Sequence, residues 1–428
     1  MDATGTSDRR PLILFIAPYF PPAYYGGVVQ IYLGLLSRLT QFRIVVVTDR
    51  CGSNFRDQQI WDATAGEYGI TVRRMAAFEL HLRSKEEPSH AGSRFRFTDS
   101  MQKVLSFYRN GRREWNQLLS QYQPDMVVCG GTYSAGWLTH GLSRSLPLVN
   151  YIHGEELTME VSPRLLMPQM RRWQMRSIRR AQLNVVVSAY TARMTEMLAR
   201  TDPARIVIVS NFIDTSRFHV SGHRAELRAK RDWVQQLVIL TLARLEPRKG
   251  IDQAMRALAL LARQEQLPSN WIYVIAGRGR ERKLLEDLSR ELGIASHVTF
   301  LGFVPDGEVP ALYEAADVFL QPNREIRGDT EGFGVVFLEA SACGLPVIGG
   351  IAGGTADAIE EGVTGYRVDA ESAEAIARVL RPLCADTALR LRLGSQGTAR
   401  VRADFTVDHA AKRFGDLLEG VLMQHRGC

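Results

Sequence analysis

The feature that most constrains this chain is an alternation of short apolar runs, rich in β-branched residues, with segments of helical spacing. Strands that alternate with helices in this way build parallel sheets with helices on both faces. In the first half the candidate strands are 12–17, 43–48, 125–130, 148–152 and 183–188, and the less regular stretch 51–122 holds an extra one, GITVRRM. A second series occupies 237–243, 271–277, 298–302, 317–321, 346–350 and 365–368. At 428 residues the chain is too long for one ordinary core, so the two series predict two α/β domains. Segment 209–218 has no long periodic pattern and reads as the linker. The stretch 51–122 is longer than one crossover needs and reads as a variable excursion over a ligand cleft.

Composition excludes other classes. Apolar residues at 45% and charged residues at 23% are ordinary for a globular chain. The first apolar run breaks at Pro18, too early for a signal peptide, and no window reaches membrane-spanning length. Five scattered cysteines form no C-x-x-C pair, which points away from zinc and disulfides and toward a reducing cytoplasm. The net charge of +7 admits anionic partners, whether nucleotide, nucleic acid or an anionic membrane leaflet.

Ligands of open parallel sheets bind beyond the carboxyl ends of the strands, so chemistry is sought there. After 237–243 comes ARLEPRKGID, where Arg244 and Lys249 precede a helix starting near Gly250. Two cations at a strand end suit a diphosphate; a solvated basic loop is the plain alternative. In NREIRGDTEGFGVVFLEA, Glu331 and Glu339 bracket a helix opened by Gly332, Phe333 and Gly334. Eight helical residues span about 12 Å, so the two carboxylates reach different parts of an elongated ligand. Glu331 then suits sugar hydroxyls and Glu339 ribose hydroxyls, with helix N–H groups facing the phosphates between them. The alternative is a helix-capping Glu331 and a surface Glu339. Gly26 and Gly27 open a helix with apolar face Val28, Tyr32, Leu35, Leu36 and Leu39, which permits close backbone approach to a ligand or simply a turn. His153, in YIHGEEL, stands at the end of another strand, where a lone histidine serves structure or a ligand.

Taken together, GG at 26–27, HGEE from 153, RLEPRKG from 244, GFV from 302 and EGFGVVFLEA followed by G-x-PVIGG resemble the family-4 retaining glycosyltransferases of the GT-B fold. The resemblance spans nearly the whole chain, in order. It implies two Rossmann-like domains whose parallel sheets face across a cleft: 1–208 on the acceptor side, 209–404 binding the nucleotide sugar, and a terminal helix, 405–424, packed back on the first. It further implies that Arg244 and Lys249 hold the donor diphosphate, Glu331 the transferred sugar, Glu339 the ribose, and the backbone at Phe303 and Val304 the base. Gly27 would reach the distal phosphate, and His153 would lie beside the sugar. One departure stands out. Where the family often has Pro-Glu after a Gly pair, this chain has Ala356 and Asp357, which puts a sugar contact there in question.

The implied reaction moves a hexose-type sugar with retention from a UDP- or GDP-sugar to a saccharide or lipid-linked hydroxyl, without a cofactor. No Asp-x-Asp pair is present, so no metal is expected and the cations replace it. Competing readings are a nucleotide-sugar epimerase or phosphorylase and a basic nucleic-acid-binding protein. The last has no helix-turn-helix, zinc or aromatic-basic motif behind it, so no nucleic acid is expected as a partner. Segment 163–182, PRLLMPQMRRWQMRSIRRAQ, carries arginines around a narrow apolar stripe. It reads as an ordinary crossover helix broken by Pro168, or as a helix resting on the inner face of an anionic membrane.

Overall fold

Continuous apolar runs are what a strand needs when both faces of its sheet are covered, and these runs build two all-parallel sheets. The first contains β1 (Leu12–Ile16), β2 (Arg43–Asp49), β3 (Ile70–Met75), β4 (Met126–Cys129), β5 (Leu148–Ile152), β6 (Leu183–Val186) and β7 (Ile206–Ile208), in the order β3-β2-β1-β4-β5-β6-β7. Its centre is β1, every residue of which is buried; Leu14 pairs with Val45 on one side and Val127 on the other. The second contains β8 (Leu237–Leu242), β9 (Trp271–Ala276), β10 (Val298–Gly302), β11 (Val318–Gln321), β12 (Val347–Gly350) and β13 (Gly365–Val368), in the order β10-β9-β8-β11-β12-β13. Strand order reverses between β1 and β4 and between β8 and β11. Those two reversals are where an open parallel sheet leaves a crevice at its carboxyl edge.

This is a computed structural model that describes residues 9–18, 20–21, 27–50, 55–75, 97–158 and 167–426. The chain divides into one unit of Met1–Val187, Ala192–Val209 and Ala410–Cys428, and another of Ser188–Thr191 and Ser210–His409. All the strands read from sequence are present. The additional β7 escaped notice because it is a three-residue, half-buried edge, too short to show a period. Phe212, Ile213 and Phe218 of segment 209–218 are buried, and the Ile213 amide donates to Phe405 O at 3.0 Å. The terminal helix Val407–Arg426 enters the first unit at Ala410, sets the Phe414 ring 5.2 Å from Tyr151 and pairs Arg426 with Asp125.

Two helices show how sequence places side chains. In Ile251–Arg263, Ile251, Ala254, Met255, Leu258 and Leu261 recur at helical spacing and pack on Ile239, Tyr273 and Leu320. Gly250 caps it in the left-handed region (φ 68°), where a Cβ would lie 1.9 Å from Pro322 O, so only glycine fits. Helix Met167–Arg180 contains the described part of the arginine-rich segment. Pro168 does not break it but sits in its first turn, where a missing N–H costs nothing. Its inward side is Met170, Gln174, Ser177 and Ile178, all buried, so its apolar stripe is spent on the core. Among the described residues, no helix is long and apolar enough to cross a membrane.

A charged clamp ties the second sheet to the short helix Arg224–Ala229. Asp317 accepts from Arg224 at 2.6 Å, from Arg228 at 3.0 Å and from the Val238 amide at 2.8 Å. With Arg228 only 11% exposed, Asp317→Ala strands a buried cation, and a loss of about 3 to 5 kcal/mol in unfolding free energy is expected. Urea unfolding of the variant checks this; an unchanged midpoint would refute it.

Candidate active site

The second unit gathers its chemistry at the β8/β11 reversal. Beyond β8 the chain turns through a single 3-10 turn, Pro247–Lys249, whose left-handed Gly250 cap brings Lys249 back toward the loop that follows β11. There the Lys249 ammonium lies 2.5 Å from Glu331 Oε2, and Arg248 donates to the same oxygen at 3.2 Å. Arg248 and Lys249 are both buried. Burial alone would push the Glu331 carboxyl up, but the charges of Lys249 and Arg248, with Arg244 further off, outweigh it and hold the group at about 2. Glu331 is therefore an anion at any physiological pH. Arg244 stands at the mouth, more exposed and paired with Glu246 at 2.9 Å.

Glu331 and Glu339 do not bracket one helix. The helix runs Val335–Ala342, its N-cap is Gly334 at φ 92°, and Glu331 stands ahead of it in the loop. The two carboxylates are thus separated by a loop and one turn, and neither caps the helix. Half-buried Glu339 accepts from the hydroxyl of buried Tyr313 at 2.9 Å. Its carboxyl is raised to about 7, by burial first, against the lowering effect of Tyr313 and Arg217. Gly332 and Phe333 are buried, and the Phe333 ring packs 6.1 Å from Phe405. The loop 351–354 lies against 331–332 so closely that a Cβ at Gly353 or Gly354 would meet the Glu331 or Gly332 carbonyl at 2.1 or 2.0 Å. Asp357, the departure noted in sequence, accepts from the amide of Ala189, which belongs to the same unit. Phe303 is exposed, with the Arg278 guanidinium 5.4 Å over its ring, and Val304 is half-buried.

In the first unit the corresponding reversal lies between β1 and β4. Gly27 is the first residue of helix Gly27–Leu36, and Gly26 falls outside the described residues. His153 follows β5 and is buried between the rings of Tyr32 and Tyr151, at 5.3 and 4.5 Å. Burial lowers its imidazole to about 3, so the ring is neutral. Among the described residues neither ring nitrogen has a hydrogen-bond partner. Two buried orphan nitrogens are costly unless something polar arrives to meet them. The His153 amide is held by Glu156, whose carboxyl burial raises to about 7.

The structure therefore brings Lys249 and Glu331 into contact, keeps Arg244 beside them, and sets Glu339 on a separate partner. Sequence reasoning passed over Arg248, although it adjoins Lys249 in the same motif. It also missed Gln321 and Thr330, which are buried around the β11 end with unpartnered side-chain atoms among the described residues. Gln321 closes an apolar strand, and a polar residue in that place was the available signal. Also among the described residues, no group of three or more His, Cys, Asp or Glu is placed to hold a metal ion.

Residues 25–217 match the family described as Glycosyltransferase Family 4, and residues 223–400 match Glycosyl transferases group 1. The chain is 38% identical over 212 residues to the GDP-mannose-dependent alpha-(1-6)-phosphatidylinositol monomannoside mannosyltransferase of Mycobacterium tuberculosis, covering 49% of this chain and 54% of that one. It is 33% identical over 237 residues to the D-inositol 3-phosphate glycosyltransferase of Salinispora tropica, covering 53% and 48%. The chain spans about half the length of these curated relatives. In fold it is similar to the sucrose-phosphate synthase of Thermosynechococcus elongatus (TM-score 0.74, 20% identity, 97% and 100% covered). It is also similar to Anabaena HepE in complex with UDP (TM-score 0.72, 20% identity, 95% and 99% covered).

The raised Glu339 carboxyl has a consequence for stability. A pKa of about 7 in the fold against an ordinary 4.5 means that the native state holds this proton more tightly. The stabilisation is complete below about pH 4.5 and is lost as pH rises through 7. Glu339→Gln, which mimics the protonated group, is expected to match the parent melting temperature near pH 4.5 and exceed it above pH 7. Melting curves across that range test the sign; a gap that closes with rising pH would contradict it.

Proposed function

The chain belongs to the family-4, group 1 glycosyltransferases of the GT-B fold, and from that premise we propose that it transfers a hexose-type sugar, with retention, from a nucleoside-diphosphate sugar to a hydroxyl acceptor. The observation that carries this reading is the buried Arg248–Lys249–Glu331 cluster at the β8/β11 reversal. Two buried cations beside an ionised carboxylate support a site for a diphosphate next to sugar hydroxyls.

In this reading Lys249 and Arg244 take the diphosphate, and Arg248 fixes Glu331 so that its free lone pairs meet the sugar. The bond from the anomeric carbon to phosphate breaks, with its electron pair leaving on the phosphate oxygen. The acceptor oxygen bonds to that carbon from the same face, and its proton departs with the diphosphate. Charge on the leaving group is the main barrier, and preorganised cations in a water-poor crevice lower it. They take the place of a divalent metal, and no enzymic nucleophile is needed. Glu339, steadied by Tyr313, binds the ribose; the backbone at Phe303 and Val304 binds the base; Gly332, Phe333 and Gly334 lead the phosphates to the helix start. In the first unit, the orphan nitrogens of His153 suit hydroxyl groups of a ligand. The donor is a UDP- or GDP-sugar; the mycobacterial relative is GDP-mannose-dependent and Anabaena HepE is in complex with UDP. A lipid-linked acceptor, such as the phosphatidylinositol glycolipid named for the mycobacterial relative, puts the enzyme in the cytoplasm and peripheral at the inner face of the plasma membrane.

A panel of nucleotide sugars screened for thermal stabilisation identifies the donor, because a ligand of the folded state raises its melting temperature. With that donor, Glu331→Gln and Lys249→Ala are each expected to lower kcat by roughly a hundredfold or more while circular dichroism stays unchanged. Near-parental turnover in both variants would remove the site. Activity is also expected to persist in EDTA; loss restored only by Mg²⁺ or Mn²⁺ would overturn the metal-free mechanism.

A further inference from the structure

Among the described residues, one layer of the first unit is strongly cationic. It consists of helices Phe97–Tyr122, Thr132–Thr139 and Met167–Arg180 with the loop 140–147. Tyr108 joins the three helices, its ring 5.0 Å from Trp137 and 5.2 Å from Trp173. Arg109, Arg113, Arg144, Arg172, Arg176 and Arg179 are exposed on it. Three more arginines are half-buried: Arg112 donates to Trp137 O at 2.6 Å, Arg171 to Glu156 O at 2.7 Å and Arg180 to Ser143 O at 2.5 Å. Arg109, Arg112 and Arg113 line a shallow groove with Asn116, Gln117 and Ser120.

Across the described side chains of these elements the sole carboxylate is Glu114, and it is turned to Arg50. Among the described residues none of the six exposed arginines is ion-paired. The described side chains of these elements hold nine arginines against one carboxylate, a net charge of +8, while the whole chain carries +7, so away from this layer acids and bases nearly balance. Such crowding costs self-repulsion unless an anion shares it; burial first, and then the charge of Arg144, lower the guanidinium pKa of Arg180.

We propose that this arginine layer is the face with which the protein docks on an anionic phospholipid surface. The proposal rests on the reading that the acceptor is lipid-linked, and it names the docking surface. The face is broad and spread over several elements, which suits a planar array of phosphates, and guanidinium forks bind phosphate oxygens in pairs. Because the apolar sides of its helices are buried, the attraction is coulombic. It therefore lacks the apolar insertion that a stripe on segment 163–182 would supply.

The test is flotation of the full chain with vesicles of phosphatidylcholine alone or mixed with phosphatidylglycerol, at low and high salt. Binding is expected only to the mixed vesicles and only at low salt. The double variants Arg109→Glu/Arg113→Glu and Arg172→Glu/Arg176→Glu should each weaken it by roughly fivefold or more per charge reversed. Circular dichroism and donor-induced thermal stabilisation should remain as in the parent. Binding to neither vesicle, equal binding to both, full binding by both double variants, or preference for duplex DNA over mixed vesicles would each overturn the proposal. Donor stabilisation is read in the same samples. Its absence with vesicle binding intact would sink the glycosyltransferase reading instead.

Discussion

A parallel sheet covered on both faces has no surface of its own to offer, and that constraint organises this protein. The side chains of β1 and β11 are buried throughout, so neither strand can present a reactive group along its length. Chemistry is confined to the carboxyl ends, and is best accommodated where the strand order reverses, because there adjacent loops leave in opposite directions. Lys249 and Glu331 come from the loops after β8 and β11, which flank the reversal. Their proximity follows from topology before any ligand is considered.

The same confinement explains the electrostatics. A carboxylate removed from water resists ionisation, and Glu331 is kept ionised only because two buried cations converge on one of its oxygens. Glu339 has a hydroxyl for a partner instead of a cation, and its pKa moves the other way. Two glutamates of one motif thus carry different charge at neutral pH, set by what the second layer of side chains supplies. His153 is the third variant: packed between aromatic rings with no acid against its own ring among the described residues, it stays neutral.

Much of the fold was legible because long apolar runs and helical periods are local signals. Only β7 lacked the length to give one. The site was legible in part. Arg244, Lys249 and Glu331 were singled out by looking just after strands, and the structure joins the last two. The spacing of Glu331 and Glu339 misled, since counting residues as helix assumes that the helix has begun, and Gly334 delays its start by three residues. Arg248 was hidden by its neighbour. A buried arginine and an exposed one look alike in sequence, and only the fold shows which carboxylate turns toward it. The inward face of helix Met167–Arg180 was equally unreadable, because a narrow apolar stripe suits a sheet or a lipid headgroup layer until its neighbours are placed.

The Tyr313–Glu339 pair has a calorimetric consequence. A carboxyl with a pKa of about 7 is close to half-protonated in a neutral solution. A ligand that donates hydroxyl hydrogens to it selects the ionised form and expels the remaining proton into the buffer. Were the proposed ribose contact made here, the heat of nucleotide binding would include the ionisation enthalpy of whichever buffer takes that proton up. Titrations in buffers of contrasting ionisation enthalpy would differ by a fraction of one proton, and this carboxyl becomes countable without being mutated.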